Sequence, residues 1–192
     1  MLKEKLKDYN IILASKSPRR QQFFKDLDID FTIHLKEVEE IYPKNLKGTE
    51  ITNFLADLKS KAFENLSEKD ILVTSDTIVW LNDEALGKPK NETDAFNMLR
   101  SLSGKKHQVI TSISLKSKEF QKIINDVTTV SFKELTNEEI NYYIKNYQPF
   151  DKAGAYGIQE WIGFIAIDNI EGSYFNVVGL PVHKLYKELI NL

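Results

Sequence analysis

Apolar positions along the chain come in two textures. Short β-branched runs read as strands, and stripes at helical spacing read as helices. The first run, Ile11-Ile12-Leu13-Ala14, predicts a short buried strand. It leads through Ser15-Lys16-Ser17-Pro18-Arg19-Arg20 into Gln21 to Leu27, where Phe23, Phe24 and Leu27 mark a helix. Ser17 suits its N-cap and Pro18 its first turn. Asp30 to Leu35 alternates, with Phe31, Ile33 and Leu35 on one face of a second strand. Thr49 to Leu66 carries Ile51, Phe54, Leu55, Leu58, Ala62 and Leu66 on one amphipathic stripe. Lys59 and Lys61 fall on or beside that stripe, and either can snorkel to solvent.

Two more apolar runs, Ile71-Leu72-Val73-Thr74 and Ile78-Val79-Trp80-Leu81, flank Ser75-Asp76-Thr77, and Asn82-Asp83 makes a turn after them. Glu92 to Leu102 is a short helix closed by Ser103-Gly104. His107 to Leu115 and Ile123 to Phe132 predict an antiparallel pair across the polar turn Lys116-Ser117-Lys118. Thr136 to Tyr147 is a helix with a capping box, Thr136 and Glu139. Phe164 to Ile170 and Tyr174 to Val178 predict a hairpin around Glu171-Gly172. Gly179-Leu180-Pro181 then starts the last helix, through Leu185 and Leu189. There is no internal repeat or interdomain linker, and the order of elements is mixed α and β.

Three stretches carry candidate chemistry. Asp76 lies between two apolar runs, where a buried charge is costly unless it is paired or binds a metal. A strand-end aspartate capping a turn through Thr77 is the competing reading, and this stretch alone leaves both open. The strand, serine-rich turn and helix start over residues 11–20 form a phosphate site from backbone donors and the helix dipole. Arg19 and Arg20 sit at the unfavourable end of that dipole, which an anion would correct. Glu37-Val38-Glu39-Glu40 is a solvated acidic loop on its own, and a divalent-metal site if it approaches Asp76.

Composition narrows the classes. The 192 residues are 42% hydrophobic and 28% charged, enough for one domain with a sizeable core. A net charge of -2 argues against a nucleic-acid binder. With no cysteine, disulfide and thiolate chemistry are excluded, and a metal would take oxygen or histidine ligands, favouring Mg²⁺ or Mn²⁺ over zinc. The charged start, MLKEKLKDYN, is neither a signal peptide nor a membrane anchor, so a cytoplasmic protein without a membrane partner is expected.

Seven pieces in order resemble the Maf family of nucleoside triphosphate pyrophosphatases. They are Ala14 to Arg20, Leu55 to Lys59, Ser75 to Val79, Gly87-Lys88-Pro89, Leu102 to His107, Asp151 to Gln159, and Val178 to Pro181. The resemblance implies an α/β fold over residues 1–192, a single Maf-like domain with an elongated mixed sheet flanked by helices, and two lobes with a central cleft. It implies hydrolysis of a nucleoside triphosphate to the monophosphate and pyrophosphate with a divalent metal cation. Ala155-Tyr156-Gly157-Ile158-Gln159 is similar to the subgroup acting on dTTP and UTP. Three positions depart from the family: Thr74-Ser75 where Gly-Ala is usual, Asp83 where glycine is usual, and Glu160 where another glycine commonly follows.

By matching positions, Asp76 is the expected proton acceptor, with Ser15, Arg20, Lys59 and Lys88 on the phosphates. Glu40, with Asp76, is the expected metal-holding partner, ahead of Glu37. Arg19, Thr77 and Gln159 match the specificity residues. The Gln159 amide has both a donor and an acceptor for the N3–H and O4 edge of uracil or thymine. Cytosine reverses part of that edge. A nucleotide-binding regulator of cell division without turnover is the alternative, and it need not keep Asp76 or the acidic pair. An RNA-binding protein fits poorly with the acidity and the lack of a basic aromatic stripe. A homodimer remains open.

Overall fold

In the computed structural model, which describes residues 1–192, β1 (Asn10–Leu13) runs parallel to β2 (Phe31–Ile33) on one side and to β3 (Asp70–Leu81) on the other. Ile11 is in register with both Phe31 and Ile71. Ile11, Ile12 and Leu13 are all buried, as are Ile71, Leu72 and Val73. That is why these strands read as unbroken apolar runs: a parallel strand covered on both faces has no polar side to show. The whole sheet has seven strands in the order β2-β1-β3-β5-β6-β7, with β4 (Glu84–Leu86) paired to β3. Here β5 is Lys106–Lys116, β6 is Gln121–Phe132 and β7 is Ile167–Glu171. The chain forms two compact units, and β3, β5 and β6 contribute residues to both.

The first unit comprises Met1–Asp76, Thr111–Asp126 and Gly179–Leu192. It holds three short or medium helices, α1 (Leu2–Leu6), α2 (Pro18–Asp26) and α3 (Thr49–Lys61), and the C-terminal α8 (Val182–Leu189). The expected helix from Thr49 to Leu66 stops five residues early, at Lys61. Lysines satisfy the carbonyls there: Lys36 Nζ donates to the Ala62 carbonyl at 2.6 Å, and Lys116 Nζ to those of Phe63 and Ser60 at 2.9 and 3.2 Å. Leu66 still packs on Ile12, Phe63 and Leu72, so its apolar signal is a packing signal, not a helical one. The second strand is also shorter than its alternation suggests. It ends at Ile33, and Ile33 and Leu35 are exposed, because β2 is the sheet's edge.

The second unit comprises Thr77–Ile110 and Val127–Val178. β3 passes into β4 through a two-residue turn in which Asn82 and Asp83 have φ of 51° and 64°, the left-handed pair of a type I′ hairpin. Asp83 tolerates a conformation that glycine adopts at no steric cost. The helices are α4 (Glu92–Leu102), α5 (Asn137–Tyr147), α6 (Trp161–Ala166) and α7 (Tyr174–Val178). The capping box of Thr136 and Glu139 is present at α5, with hydrogen bonds of 2.9 and 3.2 Å.

The hairpin expected around Glu171-Gly172 does not form. β7 pairs antiparallel with β6, Val130 opposite Ile170, and Tyr174–Val178 is helical. Asn176 explains the switch. Its side chain is buried and donates to the Val109 carbonyl at 2.9 Å and to Thr128 Oγ1 at 3.0 Å, while its N–H meets Ser173 Oγ. A serine accepting from the third residue on opens a helical turn, which outweighs the β-branched and aromatic composition.

Candidate active site

The site begins with one strand. Asp76 lies inside β3, which runs unbroken from Asp70 to Leu81, so the two apolar runs around it are a single twelve-residue element and Asp76 caps no turn. The side chains at 74 and 76 share a face because strand neighbours alternate. Thr74 Oγ1 donates to the Ala56 carbonyl of α3 at 2.6 Å. Asp76 Oδ1, one step further, accepts from Lys59 Nζ of the same helix at 2.7 Å. The same ammonium lies 3.0 Å from Glu40 Oε1. Side-chain exposures of 8% for Asp76, 19% for Lys59 and 49% for Glu40 make this a graded array, closed at the aspartate and open at the glutamate.

Burial pushes the Asp76 carboxyl above its ordinary value of 3.8, while Lys59 and Arg20 draw it back and Glu40 adds to the rise. Desolvation outweighs the pull of the two cations, so this carboxylate is a stronger base than one in water. Glu40 of the acidic loop and Asp76 thus meet at the same ammonium. Lys61, the other candidate on the stripe, faces outward and pairs with Asp57 at 2.6 Å.

The serine turn is built as its sequence suggests. Ser17 caps α2 by accepting from the Arg20 N–H at 3.4 Å, and Pro18 occupies the first turn. The buried Ser15 hydroxyl accepts from the Ser17 N–H at 3.2 Å. Arg20 has a role that composition does not announce. Its Nε donates to the Gly179 carbonyl and its Nη1 to the Ser75 carbonyl, each at 2.9 Å. Burial pulls its guanidinium down to about 10, which leaves it charged at neutral pH. Arg20 therefore ties the helix start to the strand bearing Asp76, and places its charge near Asp76 and Glu40. Arg19 is half-buried beside it.

In the second unit, Thr77 is half-buried in β3, and Lys88 and Gln159 are exposed. The loop ending in Gln159 is tightly built. Gly154, at φ 67°, lies where a Cβ would meet Val79 Cγ2 at 2.7 Å, and its N–H bonds the Gly87 carbonyl at 3.0 Å. Glu160 turns neither freely to solvent nor toward an open pocket: Lys152 Nζ holds it at 2.9 Å, and the Tyr143 hydroxyl donates to its other oxygen. His107 Nε2 and the Tyr156 hydroxyl are hydrogen-bonded at 2.8 Å in the interior of this unit.

These pieces match a known sequence pattern as a whole: the family model described as Maf-like protein covers residues 10–192. The chain belongs to the Maf family. Two Flavobacterium proteins named dTTP/UTP pyrophosphatase are similar to it. That of Flavobacterium johnsoniae is 64% identical over 100% of both chains, and that of Flavobacterium psychrophilum is 59% identical over 100% of this chain and 98% of its own. A Bacteroides fragilis protein of the same name is 51% identical over 96% of each. A HAM1 protein from Coxiella burnetii shares the fold, with a TM-score of 0.55 at 14% identity over 96% of this chain and 100% of that one.

Within this Maf chain, sequence reasoning missed Tyr143 and Lys152 as polar partners. Tyr143 falls on the apolar stripe of α5 and reads as core, which by burial it is, so nothing marks its hydroxyl. Lys152 carries a usable signal, a lysine inside a small-residue run, where a buried cation needs a carboxylate within reach. No group of three or more histidine, aspartate or glutamate side chains is arranged to hold a metal. No helix is long and apolar enough to cross a membrane.

Proposed function

We propose that this chain, acting as one domain over residues 1–192, hydrolyses dTTP and UTP to the monophosphate and pyrophosphate. The observation that carries the reading is the Lys59 ammonium shared by the buried Asp76 and the exposed Glu40. A regulator that only binds nucleotides has no use for a desolvated carboxylate, which costs folding stability. The names of the relatives at 64% and 59% identity support the same activity.

In the proposed reaction a water attacks the α-phosphorus. Asp76 takes the water's proton, the new P–O bond forms, and the bond from phosphorus to the bridging oxygen breaks. Pyrophosphate leaves with that bond's electron pair. Arg20, Lys59 and Lys88 neutralise the polyphosphate, and Ser15 with the amides at the start of α2 holds its oxygens. Arg19, Thr77 and Gln159 read the base.

A divalent cation suits the donor set at Asp76 and Glu40. Two hard carboxylates do not make a cage, and Mg²⁺ or Mn²⁺ commonly takes one or two carboxylates with water and phosphate oxygens completing its shell. When bound, the cation would supply charge neutralisation on the phosphates and acidify the water. The test is pyrophosphate release and kcat/KM across dTTP, UTP, CTP, ATP and GTP with each metal. Preference for dTTP and UTP with pyrophosphate as product is expected, and a purine preference would overturn the base-reading assignment.

A further inference from the structure

Gln159 is exposed in a turn whose surroundings are unusually polar for their depth. The turn is closed by the Glu160 N–H donating to the Gly157 carbonyl at 3.0 Å, which places Gln159 at its third position. Both ends of the turn are anchored by the Tyr143 hydroxyl. At one end the Gly157 N–H donates to the Tyr143 hydroxyl at 3.0 Å. At the other, that hydroxyl donates to a Glu160 carboxylate oxygen. The second carboxylate oxygen lies 2.9 Å from Lys152 Nζ, which also pairs with Asp151 at 2.7 Å.

The space between the anchors is full. A Cβ on Gly157 would meet Lys152 Cε at 2.9 Å and Glu160 Cδ at 3.0 Å. Tyr143 is fully buried on α5, and Lys152 keeps only 10% of its side chain exposed. Burial and the neighbouring Glu160 both raise the Tyr143 pKa, so the hydroxyl stays a donor throughout the working pH range. A fixed donor facing a fixed acceptor leaves the turn one arrangement, whereas an exposed four-residue turn left to itself samples several.

We propose that Tyr143, Glu160 and Lys152 are positioning residues that lock the 157–160 turn and so fix the amide of Gln159 for reading the base. The proposal rests on Gln159 being the base reader. In this role the three act through the turn and not on the nucleotide. Their effect falls on discrimination, because a misplaced amide loses the hydrogen-bond pattern that separates uracil from cytosine while leaving phosphate chemistry in place.

The test is a double-mutant cycle on the full chain, reading the ratio of kcat/KM for dTTP to that for CTP. Tyr143→Phe keeps the buried ring and removes the hydroxyl, and Glu160→Gln keeps an acceptor while removing the charge that holds Lys152. Each is expected to lower the ratio by about tenfold, mainly through KM for dTTP. Gln159→Ala is expected to lower it at least as far. In the Gln159→Ala background the anchor substitutions should change the ratio no further. Thermal unfolding of every variant separates this from a stability effect, which would reduce active protein without moving the ratio. If Gln159→Ala leaves the ratio unchanged, the base-reading assignment falls and takes the proposal with it. If Gln159→Ala acts as expected but the anchor variants keep the wild-type ratio, or their effects add to it, the anchor alone is overturned.

Discussion

Lys59 Nζ lies 2.7 Å from Asp76 Oδ1, across the packing of α3 on β3, and both groups are largely withdrawn from solvent. Helix and strand each fix one partner's backbone, which brings the two side chains within reach. Removing the cation would leave a buried charge. Lys59→Met should therefore lower stability by about 3 kcal/mol near neutral pH. Burial already raises the Asp76 pKa above 3.8, and losing Lys59 raises it further. A raised carboxyl favours the folded state in acid, and that advantage is lost as pH climbs through its folded pKa. The deficit should thus be smallest in acid and grow with pH, as urea denaturation across pH would show.

Arg20 makes two hydrogen bonds to main-chain carbonyls, those of Gly179 and Ser75. Lysine keeps the charge but lacks the planar fork. Arg20→Lys should cost about 2 kcal/mol in denaturant unfolding, through carbonyls left short of a donor. It should also lower kcat/KM for dTTP, since the strand bearing Asp76 loses its tie. Unchanged stability would show that the fork is dispensable.

His107 gives a pH dependence of known sign. Burial pulls its ring from 6.5 to about 4, so between those values the unfolded chain binds more protons than the folded one. Stability is then fully present above the unfolded value and is lost as pH falls toward 4. The full contribution is about 3 kcal/mol, from 1.36 kcal/mol per pKa unit. His107→Gln should flatten the stability curve over this range, measured against wild type by urea unfolding at several pH values.

Gly154 combines φ of 67° with a Cβ position 2.7 Å from Val79 Cγ2. Gly154→Ala should lower stability by about 2 kcal/mol, from backbone strain and forced repacking together. A melting temperature equal to wild type would mean that the loop adjusts freely.

Much of this was legible in the residues. The strand at Ile11, the capped start at Ser17-Pro18 and the capping box at Thr136 all rest on local rules, and local rules held. The segment 174–178 misled because its β-branched and aromatic residues suit a strand. Its fate was decided by Asn176, whose partners Val109 and Thr128 are far along the chain. Leu66 misled for a related reason, since a residue past the end of a helix can still pack on the core. At the site, the apolar runs around Asp76 marked it out and the resemblance to the Maf family supplied Lys59 and Glu40, but the sharing of one ammonium is a long-range contact that spacing cannot supply.

The most direct measurement is kcat of Asp76→Asn for dTTP, with nucleotide binding followed in parallel by calorimetry. The amide keeps the shape and loses the negative charge proposed to accept the water's proton. Turnover should fall by about 10²–10⁴-fold while dTTP still binds. A variant that turns over dTTP within a few-fold of wild type would contradict the role of Asp76 as the proton acceptor.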